Sequence, residues 1–174
     1  MKKLILILFF ISSLFGQDDL LEAAEDGTLS QSQINELISK CNSGDGVSCR
    51  NLGVFYYNKF ARSRSTDRDS EAKALIYYEK ACNLRNGTGC FAMAAAYGER
   101  IGYDKSTPHD PAKRLEYLTK GCEYNSPSSC DLLGIAYSRE ARTKSGAERK
   151  ALELKAKRFY QKACDLAPNS PCVY

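Results

Sequence analysis

The stretch KACNLRNGTGC, Lys80 to Cys90, sets two cysteines seven residues apart, with Asn and Gly in the middle and an apolar segment on each side. Alone, such a pair fits a metal site, a redox couple or a disulfide. The arrangement occurs four times. Cys41/Cys49, Cys82/Cys90, Cys122/Cys130 and Cys164/Cys172 each read C-x7-C, and their first members stand 41, 40 and 42 residues apart. A fixed spacing inside a near-constant period is the mark of a repeat protein.

The flanks repeat as well. YYEKAC, YLTKGC and FYQKAC precede the lead cysteines, with ELISKC in the first unit; Leu37, Tyr78, Leu118 and Tyr160 stand four residues ahead of them. CRNLGVFY, CFAMAAAY and CDLLGIAY follow the second cysteines. They carry an apolar residue at +3 (Leu52, Met93, Leu133), a small one at +4 (Gly53, Ala94, Gly134) and Tyr at +7 (Tyr56, Tyr97, Tyr137). Offsets of three, four and seven share one helical face. The small residue admits a neighbouring helix, and the Tyr of the same helix is expected to pack over it. Each unit therefore reads as helix, turn, helix, with helices near 31–41, 49–60, 70–83, 90–100, 110–123, 129–143 and 147–166. Asp110-Pro111 is an N-cap followed by Pro at the first helical position. Ser145-x-x-Glu148 has the form of a capping box. NSGDGVS, NLRNGTG, EYNSPSS and DLAPNSP, between the cysteines, are rich in turn formers. Asn86-Gly-Thr88 matches a glycosylation sequon and reads as a plain turn. One hairpin of this size cannot bury its apolar face, whereas stacked hairpins can. The expected fold is an all-α solenoid of α/α hairpins, in units of about 28–68, 69–109, 110–146 and 147–174. The last unit lacks a second helix, so its first helix is expected to act as a cap.

Residues 1–16 read as an export signal. Lys2 and Lys3 precede the apolar run Leu4–Phe15, which ends at Gly16. The run is too short for a bilayer, which takes about 20 residues, and its charged start and small terminal residue fit a cleaved leader. Cleavage after Gly16 leaves residues 17–174 as one domain, carrying 23 of the 25 basic side chains against 21 acidic ones. That balance calls for neither nucleic acid nor an anionic membrane. All eight cysteines lie in the exported part, which points to an oxidising compartment, periplasmic or extracellular, and to disulfides.

The ALIYYEKAC element (Ala74 to Cys82), the C-x7-C spacing and the C-x-x-L-G-x-x-Y element resemble Sel-like repeats, relatives of the tetratricopeptide repeat. In particular they resemble the disulfide-stapled repeats of the Helicobacter cysteine-rich protein family. The likeness covers about residues 28–174. It implies a right-handed superhelix of α/α pairs, each tied by one disulfide: Cys41–Cys49, Cys82–Cys90, Cys122–Cys130 and Cys164–Cys172. The missing final helix is the departure, and it bears on the fourth bond. Repeat logic supports the same pairing, because each unit must close in the same way. A cysteine in the last turn of one helix can face one in the first turn of its antiparallel partner, within the roughly 4.4–6.8 Å Cα separation a disulfide needs.

Other chemistries fit less well. Zinc favours C-x2–4-C knuckles or histidines, and His109 is the only histidine. C-x-x-C and C-x-x-C-H are absent, so thiol redox and haem attachment lack their motifs. Members of the resembling family are described as β-lactamases or penicillin binders. Ser70-Glu71-Ala72-Lys73 does match S-x-x-K, and Lys144-Ser145-Gly146 approximates K-T-G. This reading makes Ser70 the nucleophile, Lys73 its base and Lys144 a strand residue beside them. S-D-N is absent, no sheet is expected, and Ser70 falls where a helix cap belongs. Tyr77, Tyr117 and Phe159 are the candidate binding residues, with packing between units as the competing reading. Lys80, Lys120 and Lys162 recur two residues before the lead cysteines and complement the helix C-terminal dipole. The expected function is a binding module for a peptide, protein or cell-wall fragment, with no cofactor, no metal and no membrane contact beyond the leader. The alternative is a β-lactamase or penicillin-binding hydrolase using Ser70 and Lys73.

The mature protein, denatured without reductant, should show no reactive thiol to a colorimetric thiol reagent. Eight reactive thiols would overturn the stapled-repeat reading.

Overall fold

The computed structural model describes residues 19–98 and 109–168; the leader, Cys172 and most of the connection between the second and third units lie outside them. A short helical segment over 19–25 precedes α1 (Gln31–Asn42), α2 (Gly46–Arg62), α3 (Arg68–Asn83), α4 (Gly87–Ala96), α5 (Pro111–Glu123), α6 (Pro127–Ala141) and α7 (Gly146–Leu166). The described residues contain no strand. Each helix packs on its neighbours in sequence, and the second helices of successive hairpins also meet, α2 with α4 and α4 with α6. The chain is thus an α-hairpin repeat with a disulfide in each of its first three hairpins.

The hairpin turns are wired identically. Three residues after each lead cysteine the backbone turns left-handed, at Gly44 (φ 98°), Arg85 (φ 62°) and Asn125 (φ 61°). The next amide returns to the carbonyl five residues back, Asp45 to Lys40 (3.0 Å), Asn86 to Ala81 (3.0 Å) and Ser126 to Gly121 (2.8 Å). This return satisfies an orphan carbonyl at the end of the first helix. The same residue caps the second helix. Asp45 accepts from the amides of Val47 and Ser48, Asn86 from Gly89, and Ser126 from Ser129. The second helices therefore begin at Gly46, Gly87 and Pro127, two to three residues before the starts expected at 49, 90 and 129. The cap residues sit inside the C-x7-C interval, and each second cysteine lies within the first turn or so of its helix. Asn86, the sequon residue, is one of these caps.

This geometry brings the paired cysteines together. Their Cα atoms are 4.8, 4.5 and 4.7 Å apart in Cys41–Cys49, Cys82–Cys90 and Cys122–Cys130. Each bond closes a loop of about nine residues, worth roughly 2–3 kcal/mol in the chain-entropy model. Cys164 is also disulfide-bonded; its expected partner Cys172 lies outside the described residues. The helices cross so closely beside the Cys82–Cys90 bond that a Cβ at Gly89 would stand 2.6 Å from that of Ala81.

The caps at the other helix starts differ in detail. Asp110 caps α5 through the amides of Ala112 and Lys113, at 3.1 and 3.0 Å, with Pro111 first in the helix. Ser145 precedes α7 but makes no side-chain cap bond. Glu148, its expected capping-box partner, instead pairs with Lys144 at 2.9 Å. A capping box does form at Ser30 and Gln33.

The core is a chain of local clusters, as a stack of nearest neighbours requires. One gathers Leu37, Cys41, Cys49, Leu52 and Ala81; the next Ala74, Tyr78 and Met93; the third Ala94, Leu118, Cys122, Cys130 and Leu133. The small +4 residue has a different partner from the one expected. A Cβ at Gly53 would stand 2.5 Å from the ring of Tyr78, and one at Gly134 would stand 2.6 Å from the ring of Tyr160. The covering ring thus comes from the following unit, four residues before its lead cysteine. Where the small residue is Ala94, the next unit presents Leu118 in the same cluster. Glycine faces tyrosine and alanine faces leucine, so the joint keeps its volume.

Gly53→Ala should lower stability in urea unfolding. Overpacking of about 1–3 kcal/mol outweighs the roughly 1 kcal/mol that alanine gains over glycine in a helix. The cost should shrink in a Tyr78→Leu background, which recreates the Ala94/Leu118 pairing. A double-mutant cycle without coupling would contradict this joint.

Candidate functional site

The joints between units carry a second repeated feature. Tyr56, Tyr97 and Tyr137, the +7 tyrosines, each lie parallel to an aromatic ring of the next unit. Tyr56 stacks with Tyr77 (centroids 5.7 Å apart, 4° between planes), Tyr97 with Tyr117 (5.6 Å, 8°) and Tyr137 with Phe159 (5.5 Å, 9°). Such pairs contribute about 0.5–1.5 kcal/mol beyond area burial. The candidate residues Tyr77, Tyr117 and Phe159 therefore hold the units together. They are also only half-buried, so each ring keeps an open part.

A lysine four residues before each of these aromatics lies over the same +7 tyrosine. Lys73 Nζ is 5.5 Å from the Tyr56 centroid, Lys113 5.1 Å from Tyr97 and Lys155 4.0 Å from Tyr137. These distances fall within cation–π range. Adding Lys80, Lys120 and Lys162, three residues beyond the aromatics, completes a row on one face of each helix. Offsets of zero, four and seven give Lys73/Tyr77/Lys80 on α3, Lys113/Tyr117/Lys120 on α5 and Lys155/Phe159/Lys162 on α7. The first unit has Ser32, Glu36 and Ser39 there. The row thus begins only where a preceding unit supplies a tyrosine.

Local contacts fix several members. Lys80 Nζ donates to Asn42 Oδ1 of the preceding unit at 2.7 Å. The Tyr117 hydroxyl donates to Glu79 Oε1 at 3.3 Å, again across a joint. Burial, followed by the Glu79 carboxylate, pushes the Tyr117 phenol up to about 12. Burial also raises Tyr77. Lys73 pairs with Asp69 at 2.7 Å and Lys120 with Glu116 at 2.6 Å, and these hydrogen bonds raise both ammonium groups. Both lysines are therefore charged at neutral pH. Lys113 and Lys155 are exposed, and no carboxylate of the described residues lies within ion-pair distance of either.

Ser70 and Lys73 have other roles than those of a nucleophile and its base. Ser70 is fully buried in the first turn of α3. Its hydroxyl donates to Asp67 Oδ2 at 2.7 Å and its amide to Asp67 Oδ1 at 3.1 Å. The cap is Asp67, one turn earlier than expected, and Ser70 is the residue it holds. These two bonds, followed by the charges of Lys59 and Lys73, keep the Asp67 carboxyl below its usual range. Lys73, raised by Asp69, holds its proton at neutral pH. Lys144 stands in the turn before α7 and pairs with Glu148.

The Lys73/Lys113/Lys155 row was missed in the sequence, although its forty-residue period was there to read. Lysines on exposed helix faces are common, and only the structure shows that these three lie over rings. No known family model matches the chain, and no curated protein matches it significantly.

Ser70→Ala should lower the Tm by roughly 2–4 °C through loss of one hydrogen bond to a charged acceptor. Because the Asp67 carboxyl is depressed on folding, its contribution is present above about pH 4 and is lost as pH falls through its folded value. The Tm difference between wild type and Ser70→Ala should therefore narrow in acid. A pH-independent difference in scanning calorimetry would contradict the Asp67–Ser70 link.

Proposed function

We propose that the chain is an exported, disulfide-stapled helical-repeat protein that binds an acidic peptide segment of a partner protein. The observation that carries this reading is the Lys–aromatic–Lys row, repeated on α3, α5 and α7 in one register. Half-open rings offer flat, low-entropy contact area, and the ammonium groups between them favour carboxylates. Stacking across the joints and the staples of the first three hairpins hold the rows in place before a partner arrives, which lowers the ordering cost of binding.

Three further features support the reading. The motif resemblance to the Helicobacter cysteine-rich proteins agrees with the hairpin repeat and its staples. The N-terminal pattern of residues 1–16 agrees with export, and the three disulfides fit an oxidising compartment, periplasmic or extracellular. No helix among the described residues is long and apolar enough to cross a membrane. The hydrolase alternative draws no support from Ser70, whose hydroxyl is buried and given to Asp67, or from Lys73, which is paired with Asp69.

The test uses fluorescein-labelled hexaglutamate and the mature protein. Binding should be saturable, should weaken with salt, and should fall at least tenfold in Lys113→Glu/Lys155→Glu. The Tm of that variant should stay near the wild-type value. Equal binding by wild type and variant would reject the row as the binding face. Hydrolysis of a chromogenic β-lactam that disappears in Ser70→Ala would replace the reading with an enzyme.

A further inference from the structure

The repeat is broken at one core position. Eight residues before the lead cysteine, the second and fourth units carry Ala74 and Ala156, both buried. The first unit has Gln33 there, taken up by its capping box, and the third carries Arg114. A small residue stands opposite. Eight residues after the second cysteine are Tyr57 and Ser138, but Gly98 in the second unit. A Cβ at Gly98 would lie 3.4 Å from Arg114 Nε, an ordinary contact distance, so the guanidinium packs directly beside this residue. The Nε itself is buried without a hydrogen-bond partner.

Arg114 lines a cleft of about 320 Å³ on the α5–α6 hairpin. Its apolar wall includes Leu115, Leu118, Leu132 and Ile135, and Arg139 stands at the same cleft. Neither guanidinium has an ion-pair or side-chain hydrogen-bond partner among the described residues. A buried donor that goes unsatisfied beside an apolar wall is costly, and the exposed Arg139 adds a second cation without an anion at the same cleft. A ligand that brings a carboxylate satisfies both requirements. Guanidinium forks match carboxylate oxygens in bidentate geometry. The volume is at the small end for ligand sites, which limits the apolar part to about one side chain.

We propose that this cleft binds a single carboxylate carried on a small aliphatic group. The site is separate from the Lys–aromatic–Lys rows and does not depend on them. The competing explanation is that Arg114 only fills the space beside Gly98. Arg114→Met separates the two, since it keeps most of the volume and removes the charge.

The experiment is an isotope-edited NMR titration of the mature protein with hexanoate, N-acetyl-leucine and hexan-1-ol. Shifts should map to Leu115, Leu132 and Ile135, and at least one carboxylate should bind tenfold or more tighter than the alcohol. Arg114→Met should erase that preference while leaving the Tm within a few degrees, and Arg139→Met should reduce it. Preference for hexanoate assigns the site to free alkyl acids, and preference for N-acetyl-leucine to a peptide C-terminus; either supports the proposal. Absence of saturable shifts, equal binding of the alcohol, or an unchanged preference in Arg114→Met overturns it. The hexaglutamate variant Lys113→Glu/Lys155→Glu should retain carboxylate binding here, so failure at the rows and failure at the cleft are distinguishable.

Discussion

The close crossing of two antiparallel helices at each stapled turn is the constraint on which the rest of the molecule depends. A left-handed residue ends the first helix, the next residue caps the second, and the cysteines are left facing across a Cα gap of 4.5–4.8 Å. Changing the interval by one residue would displace the second cysteine by about 100° around its helix, away from its partner. The constant C-x7-C spacing is thus a statement about geometry. It also explains the small residues just before the cysteines of the second and third hairpins, Ala81 with Gly89 and Gly121 with Ser129, where the helices leave little room for more.

A rigid hairpin does not by itself make a stack. The joints do that through two volume-matched contacts on the same pair of helices. One is the buried seat of a ring or leucine on a small residue, as with Tyr78 on Gly53 and Tyr160 on Gly134. The other is the half-open stack of Tyr56, Tyr97 and Tyr137 against Tyr77, Tyr117 and Phe159. Adjacent residues of one helix, Tyr77 and Tyr78 for example, serve the two contacts. Their side chains diverge by the helical step, so one closes the core and the other lies at its edge. The residues best placed to meet a partner are consequently the ones that align the units, and binding there would be coupled to the stiffness of the stack.

Where the repeat is obeyed, packing accounts for the residues; where it is broken, packing alone leaves a charge unanswered. Ala74 and Ala156 are what a crowded helix face calls for. Arg114 at the same register brings a buried Nε without a partner and packs beside Gly98. Departures of this kind from local rules concentrate at functional sites, and here the departure coincides with an apolar cleft and a second arginine.

The all-helical repeat, the hairpin positions and the cysteine pairing of the first three units were legible in the chain itself. They follow from periodicity in one dimension: a forty-residue period, offsets of three, four and seven, and a constant interval between cysteines. Partner choice across the joints was not legible. Tyr56 and Tyr78 are both aromatic residues on a helix face, and nothing in their spacing says which ring covers Gly53. The same holds for Ser70, whose neighbourhood suggested a cap when the cap is Asp67, and for Glu148, which turns to Lys144 instead of closing a box with Ser145. Such choices depend on which of several reachable partners lies at hydrogen-bonding or stacking distance once neighbouring helices have packed. The sequence determined the unit and its staple because both are local. Tertiary structure decided the joints and the row of lysines over rings, because each is made by residues from helices that only the stack brings together, and the arginine cleft, whose lining meets only once α5 and α6 have packed.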